Sequence, residues 1–189
     1  MQYNIPNLLT SLRILLVPVF VLLFYLPVSW SNEAATLVFM IAAATDWFDG
    51  YLARRLNQTS AFGAFLDPVA DKIMVAVALV LLVDQNPTHY HGIFMSMAAA
   101  IIIGREITIS ALREWMAEVG SRKNVAVSII GKVKTTAQMG AIVLLLYAEP
   151  FYGIPSATAG FYMLYFAVFL TLWSMIDYIY SALPTLRDQ

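Results

Sequence analysis

The two segments that decide the fold are LVFMIAAATDWFDGYLAR at residues 37–54 and GAFLDPVADKIMVAVALVLL at residues 63–82. Each is a long apolar run that carries two aspartates: Asp46 and Asp49 in the first, Asp67 and Asp71 in the second. A carboxylate in an apolar membrane segment costs roughly 2.5–3.5 kcal/mol on insertion scales and usually marks function. Spacings of three and four residues place each pair on one face of a helix. We therefore predict two helices whose acidic faces converge on one site.

The residues around the aspartates indicate what this site binds. Converging carboxylates need cations, and hard divalent ions held by oxygen ligands are the natural partners. At about 100° per residue, the first acidic face also carries Gly50 and Arg54 within about 140° of arc, and the second also carries Gly63 within about 80°. Glycine lets a ligand approach the backbone closely, and a guanidinium can fork onto phosphate oxygens. Metals, glycine and arginine together predict a diphosphate site.

The composition is that of an integral membrane protein. Of 189 residues, 60% are hydrophobic and only 12% are charged, against about 25% charged in an average soluble domain. The net charge of −1 gives no indication of nucleic acid binding, and without cysteine there is no disulfide or thiolate chemistry. Six apolar segments have spanning length, at about residues 8–29, 33–55, 62–84, 92–117, 127–148 and 158–182.

The start of the chain and its charge distribution predict the topology. No basic stretch precedes the first apolar run, so we expect a retained helix, with an amphipathic stretch at residues 4–13 as a possible short interfacial helix. Lys and Arg flank the loops near residues 57 and 121 and are absent near residues 30, 87 and 152. The positive-inside rule then predicts that both termini and the acidic site face the cytoplasm.

Two arginines of the fourth segment need partners. Arg105 lies far inside an apolar run, where a lone guanidinium is costly, so it should contact either Glu106 or a substrate phosphate. Arg113 follows on the same segment and could bind phosphate or pair with Glu114 or Glu118. The fifth segment opens with two lysines that point to nearly opposite helix faces. At least one of Lys132 and Lys134 is therefore expected to be an interfacial anchor.

The chain resembles a known family. The pattern D-x-x-D-G-x-x-A-R, eight residues, then G-x-x-x-D-x-x-x-D, running from Asp46 to Asp71, is similar to the signature of the CDP-alcohol phosphatidyltransferases, with every fixed position present at the family spacing. The likeness extends to residues 6–13, 105–115 and 131–138, where it resembles the bacterial members that use glycerol 3-phosphate. The resemblance thus covers nearly the whole chain.

This resemblance implies a fold, a reaction and a location. The chain is expected to be a single all-α membrane domain over residues 1–189, with six transmembrane helices, in the bacterial cytoplasmic (inner) membrane, as a homodimer among membrane lipids. It would transfer the phosphatidyl group from CDP-diacylglycerol to sn-glycerol 3-phosphate, giving phosphatidylglycerophosphate and CMP, in phosphatidylglycerol and cardiolipin biosynthesis. Two divalent cations, Mg²⁺ or Mn²⁺, are implied as cofactors.

The resemblance also assigns residue roles. Asp46, Asp49 and Asp67 would hold one ion, Asp46, Asp67 and Asp71 the other, and Asp71 would act as general base. The positions implied to bind CDP are Asn7, Thr10, Gly50, Arg54, Ser60 and Gly63. The positions implied to bind the glycerol phosphate are Arg105, Arg113, Lys132 and Lys134.

Two alternative hypotheses remain open from sequence. A sister enzyme with another acceptor, such as inositol phosphate, serine or a second phospholipid, would share the signature and differ only in the region of residues 105–138. An ion-coupled transporter or channel would use buried carboxylates, but these are expected at mid-membrane on broken helices. Clustering of the acids beside a glycine–arginine pair disfavours transport, and a non-catalytic scaffold would leave the acids unexplained.

Overall fold

The computed structural model describes the backbone of residues 5–56, 61–118, 129–150 and 153–187, and the side chains of 9–45, 66, 69–70, 72–116, 118, 131–150 and 153–180. These residues form six α-helices, one for each apolar segment predicted above, so the all-α prediction is confirmed. The helices are α1 Ile5–Tyr25, α2 Ser31–Leu56, α3 Ala61–Gln85, α4 Gly92–Glu118, α5 Ile129–Tyr147 and α6 Ser156–Arg187.

Helix α1 differs from the expectation in one respect. It continues from Ile5 to Tyr25 without a break, so the described part of the predicted interfacial stretch, residues 5–13, does not form a separate helix. Pro6 lies in the first turn, where the missing N–H is not needed for the helix. No glycine follows before Tyr25, and Pro18 inside the helix does not interrupt it. The amphipathic stretch and the apolar run therefore belong to one element.

Side-chain contacts establish which helix ends lie together. The Tyr25 hydroxyl donates to an Asp84 carboxylate oxygen at 2.8 Å, which joins the ends of α1 and α3. Tyr90, in the short connection to α4, stacks on Phe161 near the start of α6 with 4.3 Å between ring centroids. Tyr165 donates to the carbonyl oxygen of Phe94 at 3.0 Å. The helices thus run alternately up and down, with α4 and α6 parallel.

Helices α5 and α6 form the most extensive helix pair, and two glycines explain their close approach. A Cβ added to Gly160 would lie 3.0 Å from the Leu144 Cβ and 3.1 Å from the Ala141 carbonyl oxygen. A Cβ on Gly140 would lie 2.7 Å from the Met163 Cε. Small residues at such positions let helix backbones pack closely. This pairing fixes α6 against α5, and α6 also packs against α4.

Apolar side chains fill the core and also cover the outside. Buried core residues come from every helix, including Phe20, Phe39, Leu79, Ile102, Ile142 and Leu164. Among the described residues, the segments Gly92–Met116 and Ser156–Tyr180 are long and apolar enough to cross a membrane, and Leu9–Tyr25 is a shorter apolar helix. Large apolar residues such as Leu22 and Phe169 are exposed. An apolar exterior of this kind suits lipid as the solvent.

Candidate functional site

A cavity of about 550 Å³ opens between helices α1 to α5, away from the end marked by Tyr25 and Tyr90. Its wall carries five cationic side chains and one carboxylate: Arg13, Lys72, Arg105, Arg113, Lys134 and Glu106. The described lining therefore has a formal excess of four positive charges, five cations less one anion. Clefts lined by one sign of charge concentrate ligands of the opposite sign. We refer to this space as the cationic cavity.

Glu106 bridges two of the cations. One carboxylate oxygen, Oε1, accepts from the Lys134 ammonium at 2.7 Å and from Arg105 Nη1 at 3.1 Å. Arg105 also donates from Nη2 to the Ser174 hydroxyl of α6 at 3.2 Å. Arg105 and Lys134 are buried. Arg105 thus contacts Glu106, one of the two partners expected from the sequence. Because Arg105 also lines the cavity, it can still bind a phosphate group there.

Glu106→Gln should lower the thermal stability of the purified protein. The change leaves the buried ammonium of Lys134 without its charged partner. Breaking a buried ion pair by removing one partner costs about 3–5 kcal/mol. Because the Glu106 side chain is 28% exposed, we expect the lower end of that range, measured as a fall in the unfolding midpoint in detergent.

Glu114→Gln is the matched control for that experiment. Glu114 lies two turns further along the same helix, is exposed, and makes no ion pair with another described residue. Its replacement should leave the unfolding midpoint unchanged. Equal midpoints for the two variants would mean that the Glu106 bridge contributes nothing to stability.

The last helix also holds Arg113. Its Nη2 donates to the Tyr178 hydroxyl at 2.7 Å, and its Cζ lies 5.3 Å from the centre of the Tyr178 ring. Arg105 Cζ lies 5.8 Å from the same ring. Each cation–π contact contributes about 0.5–1 kcal/mol at exposed sites and more when desolvated. The Tyr178 contact takes the place of the ion pair with Glu114 or Glu118 that the sequence suggested as an alternative.

The two lysines of α5 lie in different environments, as their helical spacing predicted. Lys134 is buried in the wall of the cationic cavity, whereas Lys132 is exposed and is not part of the lining. The structure therefore brings together three of the four predicted acceptor-binding residues, Arg105, Arg113 and Lys134. Lys132 lies on a face of the helix that suits an interfacial anchor.

Two cations of the cavity were not predicted from sequence. Arg13 is almost fully buried in α1, and it is the first charged residue of the chain, with none following until Glu33. A single charged residue in a long uncharged stretch could have identified Arg13 as a site residue, because a lone guanidinium in an apolar segment is costly, as for Arg105. Lys72 follows Asp71 directly but lies off the acidic face in a helical projection, so its position in the cavity wall gave no sequence signal.

The predicted metal ligands lie on α2 and α3: Asp46, Asp49, Asp67 and Asp71. Their side chains are outside the described residues. Both helices are continuous through these positions and pack against each other, so the spacing that puts each pair on one face applies. A set of four carboxylates suits hard divalent cations. Among the side chains that are described, no group of three or more potential metal ligands occurs.

Most of the predicted CDP contacts also lie outside the described side chains. Thr10 is the exception: it is fully buried in α1 and has a partner within the fold. It does not line the cationic cavity. The positions whose side chains are not described are Asn7, Gly50, Arg54, Ser60 and Gly63.

The chain belongs to the CDP-alcohol phosphatidyltransferase family, whose model matches residues 3–173. It is 57% identical over 189 residues, the full length of both chains, to the CDP-diacylglycerol–glycerol-3-phosphate 3-phosphatidyltransferase of Escherichia coli (strain K12). Proteins with the same name from Shigella sonnei (strain Ss046) and Shigella flexneri serotype 5b (strain 8401) are also 57% identical over the full length of both chains. The family resemblance drawn from the acidic signature is thereby confirmed.

Proposed function

We propose that this chain is a CDP-diacylglycerol–glycerol-3-phosphate 3-phosphatidyltransferase. It transfers the phosphatidyl group of CDP-diacylglycerol to sn-glycerol 3-phosphate and releases CMP, within phosphatidylglycerol and cardiolipin biosynthesis. Identity of 57% over the full length with the Escherichia coli enzyme of that name supports both substrates. The single structural observation that carries the choice of acceptor is the cationic cavity, because a phosphorylated alcohol needs cations that an uncharged one does not.

The charge of the cavity suits a phosphate monoester. Such a group carries about −1.5 to −2 charges at pH 7, and the described lining has a formal excess of four positive charges. Arg105 and Arg113 can donate paired hydrogen bonds to phosphate oxygens, and Lys134 adds a compact charge. Glu106 keeps two of these cations oriented along the wall. The phosphate of glycerol 3-phosphate would be held there.

The reaction itself is assigned to the acidic helices. Asp46, Asp49, Asp67 and Asp71 would hold two divalent cations, Mg²⁺ or Mn²⁺. Bound there, the cations would supply positive charge to the diphosphate and to the departing CMP. Asp71 accepts the proton of the attacking hydroxyl while that oxygen forms a bond to the lipid-bearing phosphorus and the bond from this phosphorus to CMP breaks. The nucleotide is bound by Asn7, Thr10, Gly50, Arg54, Ser60 and Gly63.

The membrane arrangement follows from the same proposal. All six helices cross the bacterial inner membrane, both termini face the cytoplasm, and the site opens to the side where glycerol 3-phosphate is dissolved. The distribution of Lys and Arg among the loops supports this orientation. Residues 1–189 act as a single membrane domain. A homodimer is proposed on the family resemblance alone.

A CMP-release assay of the purified protein tests the proposed function. CDP-diacylglycerol is supplied with one acceptor at a time: sn-glycerol 3-phosphate, inositol phosphate, serine or phosphatidylglycerol. We expect rapid CMP release only with glycerol 3-phosphate. Faster release with another acceptor would assign the chain to a sister activity, and no release with any acceptor would contradict the reaction class.

Arg105→Ala should raise the KM for glycerol 3-phosphate at least about tenfold. The variant loses a charge-assisted contact to the phosphate, and such contacts contribute roughly 1.5–3 kcal/mol. The KM for CDP-diacylglycerol should change far less. Arg105→Lys should rescue only part of the loss, because a point charge cannot replace the guanidinium fork. Equal losses for both substrates would instead make Arg105 a structural partner of Glu106 and Ser174.

A further inference from the structure

Gln138 is a polar residue in the wall of the cationic cavity that the reaction described above does not use. It is only 4% exposed, and its side-chain oxygen, Oε1, has no hydrogen-bond partner among the described residues. It follows Lys134 by four residues on α5, so the two share a helix face about 6 Å apart along the axis. Buried polar groups in native proteins are nearly always hydrogen-bonded. An unpaired one that lines a cavity points to a ligand that supplies the partner.

The unpaired groups in the cavity wall define the chemistry of that ligand. Arg105 Nε is a buried donor without a partner among the described residues, and Gln138 Oε1 is a buried acceptor without one. A ligand that satisfies both must present an anionic oxygen beside the cations and a hydrogen-bond donor beside Gln138, which lies one helical turn beyond Lys134. A hydroxyl group meets the second requirement in either orientation of the amide, since it can donate or accept. Together these are the groups of a phosphorylated polyol.

Glycerol 3-phosphate has one hydroxyl more than the reaction consumes. The phosphate is held by cations, one hydroxyl attacks phosphorus, and one hydroxyl remains. If the terminal hydroxyl attacks, the remaining one is at C2, between the phosphate and the attacking oxygen. A short carbon chain whose phosphate contacts Lys134 can bring its C2 hydroxyl within reach of a side chain one turn further along α5.

We propose that Gln138 hydrogen-bonds the C2 hydroxyl of the acceptor and makes the site specific for a phosphorylated polyol over a phosphorylated monoalcohol. This inference rests on the proposed function, because it names the acceptor of that reaction. Two fixed points, the phosphate and the C2 hydroxyl, leave only the terminal hydroxyl free to attack. The phosphate, the C2 hydroxyl and the terminal hydroxyl are arranged around the chiral carbon C2. Contacts to all three therefore also distinguish the two enantiomers of glycerol phosphate.

The test pairs one substrate analogue with one variant. The analogue, 3-hydroxypropyl phosphate, keeps the phosphate and the terminal hydroxyl and lacks only the C2 hydroxyl. Gln138→Met keeps the length of the side chain and removes its amide. For the unaltered protein we expect kcat/KM to be about tenfold lower with the analogue than with glycerol 3-phosphate. In Gln138→Met, kcat/KM with glycerol 3-phosphate should fall about tenfold, and with the analogue it should stay within about twofold, as in a double-mutant cycle.

Thr171→Val is the matched control. Thr171 is fully buried in α6, and its hydroxyl also lacks a hydrogen-bond partner among the described residues, but it does not line the cationic cavity. Its replacement by the isosteric valine should leave kcat/KM for both substrates unchanged. A fall for the Gln138 variant alone, and with glycerol 3-phosphate alone, supports the proposal.

Several outcomes would overturn it. Equal kcat/KM values for the two substrates in the unaltered protein would contradict the proposal. This measurement needs no variant, so it decides the question even if Gln138→Met does not fold. Equal losses with both substrates in the variant would make Gln138 a structural residue, and no loss with either would remove it from the site. Absence of CMP release with glycerol 3-phosphate in the unaltered protein, together with release in the presence of another acceptor, would instead contradict the proposed function and with it the inference.

Discussion

Asp71→Asn should lower kcat for CMP release by at least about a hundredfold while the KM for CDP-diacylglycerol changes little. Asparagine has the size of aspartate but cannot take the proton of the attacking hydroxyl, and a positioned general base contributes about 10²–10⁴ to a rate. Asp71 lies one turn beyond Asp67 on α3, on the same face. The measurement is the kcat and KM of the variant with both substrates.

Two further variants distinguish the general-base role of Asp71 from metal binding and from a purely structural role of aspartates on α2 and α3. Asp84→Asn removes a carboxylate at the opposite end of α3, where its hydrogen-bond partner among the described residues is the Tyr25 hydroxyl, and it should keep near-normal activity. Asp46→Ala should weaken metal and nucleotide binding together. If Asp71→Asn retained near-normal kcat, the proton would have to be taken by another group.

Removal of divalent cations should abolish turnover. In the proposed site, the four carboxylates of α2 and α3 would repel one another unless cations offset their charge, and the diphosphate would need the same cations. Treatment with EDTA is therefore expected to stop CMP release, and added Mg²⁺ or Mn²⁺ to restore it. Because a ligand that binds only the folded state stabilises it, either ion should also raise the unfolding midpoint.

The stability measurement is independent of turnover. In Asp46→Ala the rise of the unfolding midpoint with Mg²⁺ or Mn²⁺ should be reduced or lost. In Asp84→Asn the rise should match that of the unaltered protein. Full turnover in a preparation freed of divalent cations would contradict the two-metal proposal, whatever the midpoints do.

The helices could be predicted from the sequence because each apolar run has the length of a membrane span and ends at polar or turn-forming residues. The bounds differ by only a few residues, and the largest difference is at α6, which continues to Arg187. The prediction of a separate interfacial helix at the start of the chain was wrong, because an amphipathic stretch that leads directly into an apolar one contains no residue pattern that indicates a break. Propensity favours continuation because no glycine occurs before Tyr25, and Pro18 does not interrupt the helix.

The cationic cavity could be predicted only in part. Arg105 was found because a guanidinium inside an apolar run is conspicuous, and helical spacing separated Lys132 from Lys134. The partners from α6 could not be found, since serine and tyrosine are ordinary residues in an apolar helix. Ser174 lies 69 residues from Arg105 and Tyr178 lies 65 residues from Arg113. Only the packing of α6 against α4 brings such distant positions together.

This dependence on α6 has a consequence for how the protein is made. Helices α2 to α5, which carry the acids and most of the cavity cations, leave the ribosome before the segment that contains Ser174 and Tyr178. Until that segment inserts, the guanidinium groups of Arg105 and Arg113 lack the hydroxyl groups that orient them. The nascent chain therefore contains every charged group of the cavity before it can hold them in place. If the cavity binds the acceptor as proposed, competence to bind it would arise only at the end of biosynthesis, when the final helix docks.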